Sequence, residues 1–491
     1  MSATATQKKI TIDPITRLEG HGKIVVFLKD SGDVDRAYLQ IPEYRGFEKF
    51  AEGRPAEDLP QITERICGVC PTAHHMASTK CLDDLYKAAP PPAGRKIREL
   101  VYNAFFVEDH ALHFVYLGGP DFVVGPKAPK GERNVLGVIG KLGIDAGKKV
   151  IGTRKALRAV LSGITGKAVH PAFGLPGGIS KAIDRETRDA AVEASKLGLD
   201  LAKTLLGLFE TLVLKNKEYV DLILSDGYTH KTYYMGMVDK DDKVNFYDGD
   251  LRVVDPAGKE FRKFRPAEYL RHIAEHVEPW SYIKFTYLKD VGWKGFQDGP
   301  ESGVYCVAPL ARLNAAQGMA TPLAQAAYEQ YFKTLGGKPV HHTLANHWAR
   351  LIELLYAAER MAELAEDPEI LEGRVRVIPT AVPTEGVGVV EAPRGTLVHH
   401  YQTDAKGLIR KANLIVATGN NAARIAMSVD KAAKACIKGG KVDDGIMNLV
   451  EMAFRAYDPC FGCATHCLPG TLPLSIELRA LDGRLVRTLT R

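Results

Sequence analysis

The chain has 491 residues, 45% of them hydrophobic and 25% charged, the composition of an ordinary globular protein with room for two or three domains and a sizeable core. Its formal net charge of +6 is spread thinly, and no basic run carries interleaved aromatics, which argues against a nucleic-acid partner. Eight cysteines are too sparse for a disulfide scaffold, so metal-bound or buried thiols in a reducing, cytoplasmic compartment fit better. The segment Met1 to Lys9 has no apolar signal core, and no stretch reaches the roughly 18 uncharged apolar residues of a membrane span, so a soluble chain is expected.

In chain order, residues 8–41 hold short apolar runs (10–12, 23–27 and 37–41) broken by Gly and Asp, a small strand region. A helix is predicted over 95–117, with Leu100, Ala104, Val107, Ala111 and Phe114 on one face. The clearest helix spans 186–213, where Ala190, Ala194, Leu197, Leu201, Leu205, Leu208 and Leu212 recur every three or four positions. Turn signals at Asp226-Gly, Asp248-Gly and Pro256-Ala-Gly punctuate a β-meander over 226–262. A helix near 344–365 follows, then short strands near 374–379, 386–391 and 408–417 and helices near 420–436 and 443–456. After residue 466, two alternating runs flank Leu481-Asp-Gly483, a hairpin signal. The expected architecture is a mainly α (α+β) single catalytic domain, a large helical core with peripheral small β-sheets. Within it lie the strand region 1–50, helical core 51–225, the meander insertion 226–262, helical core with short strands and the C-terminal metal motif 263–466, and a hairpin or removable tail 467–491.

The chemistry sits in two cysteine pairs about 390 residues apart: Arg65-Ile-Cys67-Gly-Val-Cys70 and Asp458-Pro-Cys460-Phe-Gly-Cys463-Ala-Thr-His466. Four thiolates make a soft, electron-rich site that suits nickel, iron or zinc. Local zinc modules place their pairs roughly 15–20 residues apart, so here the complete fold has to build the site. That favours chemistry over a local staple.

Together with Asp13-Pro-Ile-Thr-Arg-Leu-Glu19-Gly-His21, Tyr44-Arg-Gly-Phe-Glu48, His113-Phe-Val-Tyr-Leu with Asp121, and Ala392-Pro-Arg394-Gly, these motifs run in the order found in one family. The chain resembles the large, catalytic subunit of nickel–iron hydrogenases over essentially its full length. Glu52-Gly-Arg-Pro55 and the Cys-Ala-Thr-His wording resemble the cytosolic, viologen-reducing class associated with heterodisulfide reductase. The resemblance implies terminal nickel ligation by Cys67 and Cys460 and bridging to iron by Cys70 and Cys463, with cyanide and carbon monoxide completing the iron. It implies Glu19 as first proton relay beside Cys460, and Arg394 over the open metal face with Asp121 and Asp458 as carboxylate partners. It further implies His74 hydrogen-bonded to a bridging sulfur, Thr418 offering its hydroxyl to a cyanide, and Glu48 with His466 holding a magnesium or iron ion. Around Thr418 the family's usual Pro-Thr-Thr-Trp-Asn is replaced by Ala417-Thr-Gly-Asn-Asn421.

The implied activity is reversible oxidation of hydrogen to protons and electrons. No dinucleotide fingerprint and no ferredoxin-type cysteine run is present, so electrons are expected to leave to an iron–sulfur small subunit, then onward to heterodisulfide-reductase-type subunits. A maturation endopeptidase is a further partner if the tail is removed just after His466; a retained hairpin is the alternative. The competing function is a zinc-stabilised, non-catalytic subunit of a redox complex. The remaining cysteines, Cys81, Cys306, Cys436 and Cys467, read as small apolar side chains.

Overall fold

The computed structural model describes residues 9–465, 475–480 and 484–490. A three-stranded antiparallel sheet opens the chain: β1 (Lys9–Ile12), β2 (Lys23–Leu28) and β3 (Val34–Gln40). Its alternation buries Ile24, Val26, Leu28 and Leu39 and leaves the loop between β1 and β2, which carries Glu19, free to reach across the molecule.

Helix α1 (Pro71–Leu85) begins at a proline, whose missing N–H costs nothing at the first helical position. Helix α2 (Pro92–Leu112) starts in the same way after the Pro-Pro-Pro breaker. The helix expected to run on to 117 instead changes pitch at His113, passes through a π-helical turn (His113–Gly118) and restarts as a short helix at Pro120. Gly118 and Gly119 permit this: a Cβ on Gly119 would lie 1.9 Å from the Phe114 carbonyl oxygen. Helices α3 (Ile144–Thr165), α4 (Arg185–Phe209) and α5 (Asn346–Glu366) complete the main helical layer.

The α4 stripe is rotated from its sequence reading. Ala194, Leu201 and Leu205 are buried as expected, but Ala190 and Leu197 are exposed, and Ala191, Ser195, Gly198 and Ala202 join the buried face. Small residues share that buried face with Leu201, Leu205 and Phe209 where α4 packs lengthwise against α5.

The 226–262 stretch forms β4 (Tyr233–Val238), β5 (Asp250–Val254) and β6 (Glu260–Phe264) as an antiparallel meander. A fourth strand, β7 (Tyr305–Cys306), joins β4 in parallel, a long-range pairing that local pattern does not reveal. Further on, the sheet is β8 (Glu385–Ala392), β9 (Gly395–Thr403) and β10 (Ile409–Ile415). Its central strand β9 escaped the sequence reading because its interior, Leu397-Val-His-His-Tyr401, is buried on both faces and shows no alternation. No strand spans 374–379. That segment instead exchanges backbone hydrogen bonds at Val375 and Val377 with the tight turn around Gly177–Ile179. Helices α6 (Ala422–Cys436) and α7 (Asp444–Arg455) follow, and β11 (Ser475–Arg479) pairs antiparallel with β12 (Leu485–Thr490).

Charge is not spread thinly. Residues 127–167 hold ten lysines and arginines against two acids, more net charge than the whole chain carries.

Helix α1, which leads directly from Cys70, is pressed onto β8 where the strand has glycines two apart on one face. A Cβ at Gly388 would lie 2.1 Å from the Ala77 carbonyl and 2.3 Å from the Cys81 amide, and one at Gly386 would lie 2.5 Å from the Cys81 carbonyl. Both obstacles are backbone, so neither can yield. Gly388→Val is therefore expected to destabilise the protein by about 3 kcal/mol or more and to lower nickel content; an unchanged thermal midpoint with full nickel would show that α1 tolerates displacement.

Candidate metal centre

Cys67 follows a 3-10 turn (Glu64–Ile66) in extended conformation, and Cys70 caps the N-terminus of α1. The amides of Val69 and Cys70 both point at Cys67 Sγ, at 3.2 and 3.1 Å. From the far end of the chain, α7 runs into Asp458, whose left-handed backbone (φ 55°) turns the chain inward to Cys460. The two loops bring Cys67 Sγ to 3.2 Å from Cys460 Sγ and Cys70 Sγ to 3.4 Å from Cys463 Sγ, with Cys460 and Cys463 2.7 Å apart. All four sulfurs lie within 4.8 Å of one another, and all are buried.

These thiols cannot ionise together unaided. Burial opposes a charge on Cys67, but hydrogen bonds from Cys460, Cys463 and Cys70 and the nearby Arg394 charge outweigh it and hold this thiol far below its ordinary value. Cys460 and Cys463 are pushed far up, first by burial and then by sharing the pocket with their neighbours. A bound cation would favour ionisation of the neighbouring thiols. The donor set thus fits a soft metal centre.

The β1–β2 loop lies alongside the second cysteine motif. Glu19 and Cys460 form a bridge in parallel register, and the Phe461 amide donates to the Glu19 carbonyl at 3.0 Å. Glu19 Oε2 accepts from Cys460 Sγ at 2.8 Å and from the Gly462 amide at 3.0 Å. Burial, then the Cys67 charge, raises its pKa, and those two hydrogen bonds oppose the shift. Gly462 is required for the contact, since a Cβ there would lie 2.7 Å from Glu19 Oε1.

Arg394 sits at the β8–β9 turn, 2% exposed. Its Nη1 donates to Asp109 Oδ2 at 3.3 Å and its Nη2 lies 2.9 Å from Asp458 Oδ2. Its Nε is buried without an acceptor, a donor available to an anionic group. Burial lifts the Asp109 carboxyl to about 7, with Arg394 opposing and Asp458 adding to the shift.

Asp121 does not contact Arg394, contrary to expectation. Its carboxylate is taken by Arg17, by Arg455 at 2.7 Å and by Asn448 at 3.0 Å. The π-turn separates the two acids: Asp109 on α2 faces the cysteines, whereas Asp121 beyond the turn faces α7. Asp109 stands between Glu108 and His110, so no local pattern singled it out in the sequence. Thr418 Oγ1 accepts the Cys460 amide at 3.0 Å. His74, one turn after Cys70, pairs through Nδ1 with His399 Nε2 at 3.2 Å, and His399 Nδ1 meets the Tyr401 hydroxyl at 2.6 Å. Glu48 Oε1 accepts the Leu414 amide at 2.7 Å, and burial raises its carboxyl. His466 and Cys467 lie outside the described residues. Cys81 and Cys306 are buried, Cys436 partly so.

Arg45 was also missed. Its guanidinium donates to the carbonyls of Ile66 and Gly462 and its amide to Thr465, so one side chain ties both cysteine loops together. Its place beside Glu48 in a recognised motif was the available signal.

Residues 45–134 and 281–466 match the family model described as Nickel-dependent hydrogenase. The chain belongs to the nickel-dependent hydrogenases. A HoxL-like model matches residues 9–44. The chain is 48% identical over 483 residues to an F420-non-reducing hydrogenase iron-sulfur subunit of Archaeoglobus profundus, covering 98% of this chain and 99% of that one. It is 41% identical over 495 residues to an F420-non-reducing hydrogenase subunit of Methanothermobacter thermautotrophicus, covering 98% and 100%. Among solved structures, an NAD+-reducing nickel–iron hydrogenase in its H2-reduced state superposes with a TM-score of 0.87 at 36% identity, covering 94% of this chain and 99% of that one. As a nickel-dependent hydrogenase large subunit, the chain has the fold its motifs implied.

The two acids should separate by experiment. Asp109→Asn is expected to lower hydrogen turnover per nickel by about 10-fold or more. Asp121→Asn should instead destabilise the fold by about 3–5 kcal/mol, because it breaks a buried charge pair, while turnover per nickel is retained. The reverse pattern in turnover and melting data would exchange their roles.

Proposed function

We propose that this chain catalyses the reversible heterolytic oxidation of hydrogen to protons and electrons and delivers the electrons to an iron–sulfur small subunit. The observation that carries the reading is the convergence of four buried thiols with a carboxylate on one sulfur and a doubly paired arginine beside them. When bound, a nickel–iron centre with cyanide and carbon monoxide on the iron supplies the soft, electron-rich site at which hydrogen is taken up and split.

The chain's own residues divide the remaining work. Cys67, Cys70, Cys460 and Cys463 would hold that centre through their sulfurs, Cys67 and Cys460 serving nickel and Cys70 and Cys463 shared with iron. Glu19 Oε2 receives a proton from the Cys460 sulfur over 2.8 Å. The raised pKa brings its acid and base forms closer to balance, which lets it pass the proton on. Arg394 stays charged between Asp109 and Asp458 and holds fixed positive charge near the cluster, where it needs no reorganisation during turnover. The Thr418 oxygen accepts the Cys460 amide, which leaves its own hydrogen to donate to a cyanide. His74, oriented by His399, would hydrogen-bond a cysteine sulfur shared with iron. Glu48 and His466 would hold a magnesium or iron ion.

The named relatives are F420-non-reducing hydrogenases, which supports a viologen-reducing, cytoplasmic enzyme of the heterodisulfide-reductase-associated type. No helix among the described residues is long and apolar enough to cross a membrane. The β11–β12 pairing supports a folded tail. A maturation endopeptidase belongs among the partners if that tail is removed; an active, nickel-loaded chain whose intact mass still ends at Arg491 would place it in the mature fold.

Metal analysis tests the assignment: nickel and iron near one each are expected, and zinc alone without nickel would sink it. Cys460→Ser should abolish hydrogen uptake and sharply reduce nickel, because a hydroxyl is a poor ligand for a soft metal. Glu19→Gln should retain both metals yet nearly abolish hydrogen–deuterium exchange with solvent; exchange at the normal rate would move the relay elsewhere.

A further inference from the structure

Helix α3 uses one face for the core and leaves the other without a partner among the described residues. Val150, Leu157, Val160, Leu161 and Ile164 are buried against α2 and α4. On the outer face Ile144, Lys148, Ile151 and Lys155 follow at spacings of four, three and four, one continuous stripe. Ile144 is 68% exposed and Ile151 57%, and Leu136 on the preceding helix (Val135–Leu142) is 74% exposed.

The basic residues here fall into two sets. Arg154 and Arg158 bind Glu108, and Lys149 binds Asp200, all against the body of the protein. Lys141 and Lys155 have no carboxylate partner among the described residues, and Lys148 has only the exposed Asp145 at 3.7 Å, a pair worth little in water. The outward set is therefore uncompensated positive charge interleaved with exposed aliphatic side chains.

We propose that the Ile144–Lys155 face of α3, with Leu136 and Lys141, is the docking surface for an acidic face of another protein subunit in the electron-transfer assembly. The proposal rests on the reading of this chain as one subunit of a hydrogenase complex. Charge complementarity fixes the sign of the partner, and the isolated isoleucines supply the apolar anchors that a protein interface buries within a polar rim. A bilayer needs a continuous apolar face, whereas here lysines interrupt the isoleucines along a single stripe. Single-stranded nucleic acid needs aromatic platforms, and residues 127–167 contain none. The surface also falls in the stretch 135–280, between the two segments matched by the family-wide model, yet within the span shared with the 48% and 41% identical relatives. A docking face there is free to suit partners particular to one branch of the family.

The test uses the intact native complex, purified through a tag on this chain. Amine acetylation followed by mass spectrometry should label Lys141, Lys148 and Lys155 at least about 10-fold more slowly than the exposed Lys240 and Lys406. Zero-length carbodiimide coupling should join Lys148 or Lys155 to an aspartate or glutamate of a partner subunit. In complexes carrying Ile151→Asp with Lys155→Glu, that subunit should bind roughly 10²-fold more weakly; Lys148→Gln with Lys155→Gln, which preserves packing, should weaken it less and flatten its salt dependence. Labelling as fast as at Lys240 and Lys406, unchanged subunit composition in both variants, or protection that appears only on adding phosphatidylserine vesicles would each overturn the proposal. Hydrogen-dependent viologen reduction, read on the same wild-type complex, tests the catalytic assignment separately, since its absence would remove that reading while leaving the lysine protection to be judged alone.

Discussion

Four buried thiols held within 4.8 Å of one another are the constraint on which the rest of the structure depends. Each thiolate added to such a cluster loses hydration and repels its neighbours, so the site calls for opposite charge: a metal centre and the fixed guanidinium of Arg394. It also calls for closure between the two ends of the chain. Glu19 pairs with the backbone around Cys460 and Phe461, and Arg45 bonds to carbonyls in both cysteine loops. The cysteine cluster is thus the place where the two ends of the fold are fastened.

Buried charge around the centre is sorted into two groups that do not mix. Arg394, Asp109 and Asp458 lie against the cysteines, while Arg17, Asp121, Asn448, Glu451 and Arg455 form a neighbouring network that anchors the β1–β2 loop to α7. The π-turn after α2 keeps them apart by redirecting the chain between Asp109 and Asp121. Inserted turns of this kind recur at functional sites, and here the consequence is specific: two acids twelve positions apart receive different arginines.

Packing transmits this order outward. The glycines of β8 let α1 approach backbone to backbone, which fixes Cys70 and His74 relative to the sheet bearing Arg394 and His399. Small residues on α4 perform the same service against α5. Farther out, α3 completes the layer with its apolar side and turns a basic, isoleucine-dotted side to solvent, so a single helix belongs both to the core and to a surface suited to assembly.

The sequence alone singled out Cys67, Cys70, Cys460 and Cys463, whose thiols suit a soft metal and whose wide separation implied a cluster made by the whole fold, as found. It also determined the long helices, whose local 3.6-residue periodicity needs no tertiary information, and the meander, which its turns announce. Tertiary structure decided what periodicity does not encode. It placed Tyr305–Cys306 beside β4, hid β9 by burying both its faces, and rotated α4 so that Ala191, Ser195, Gly198 and Ala202 joined Leu201 and Leu205 on the buried face. It gave Arg394 to Asp109 rather than Asp121 through a change of helical pitch. Such choices depend on the distance and direction between surfaces far apart in the chain, whereas a thiol's affinity for a soft metal resides in the residue itself.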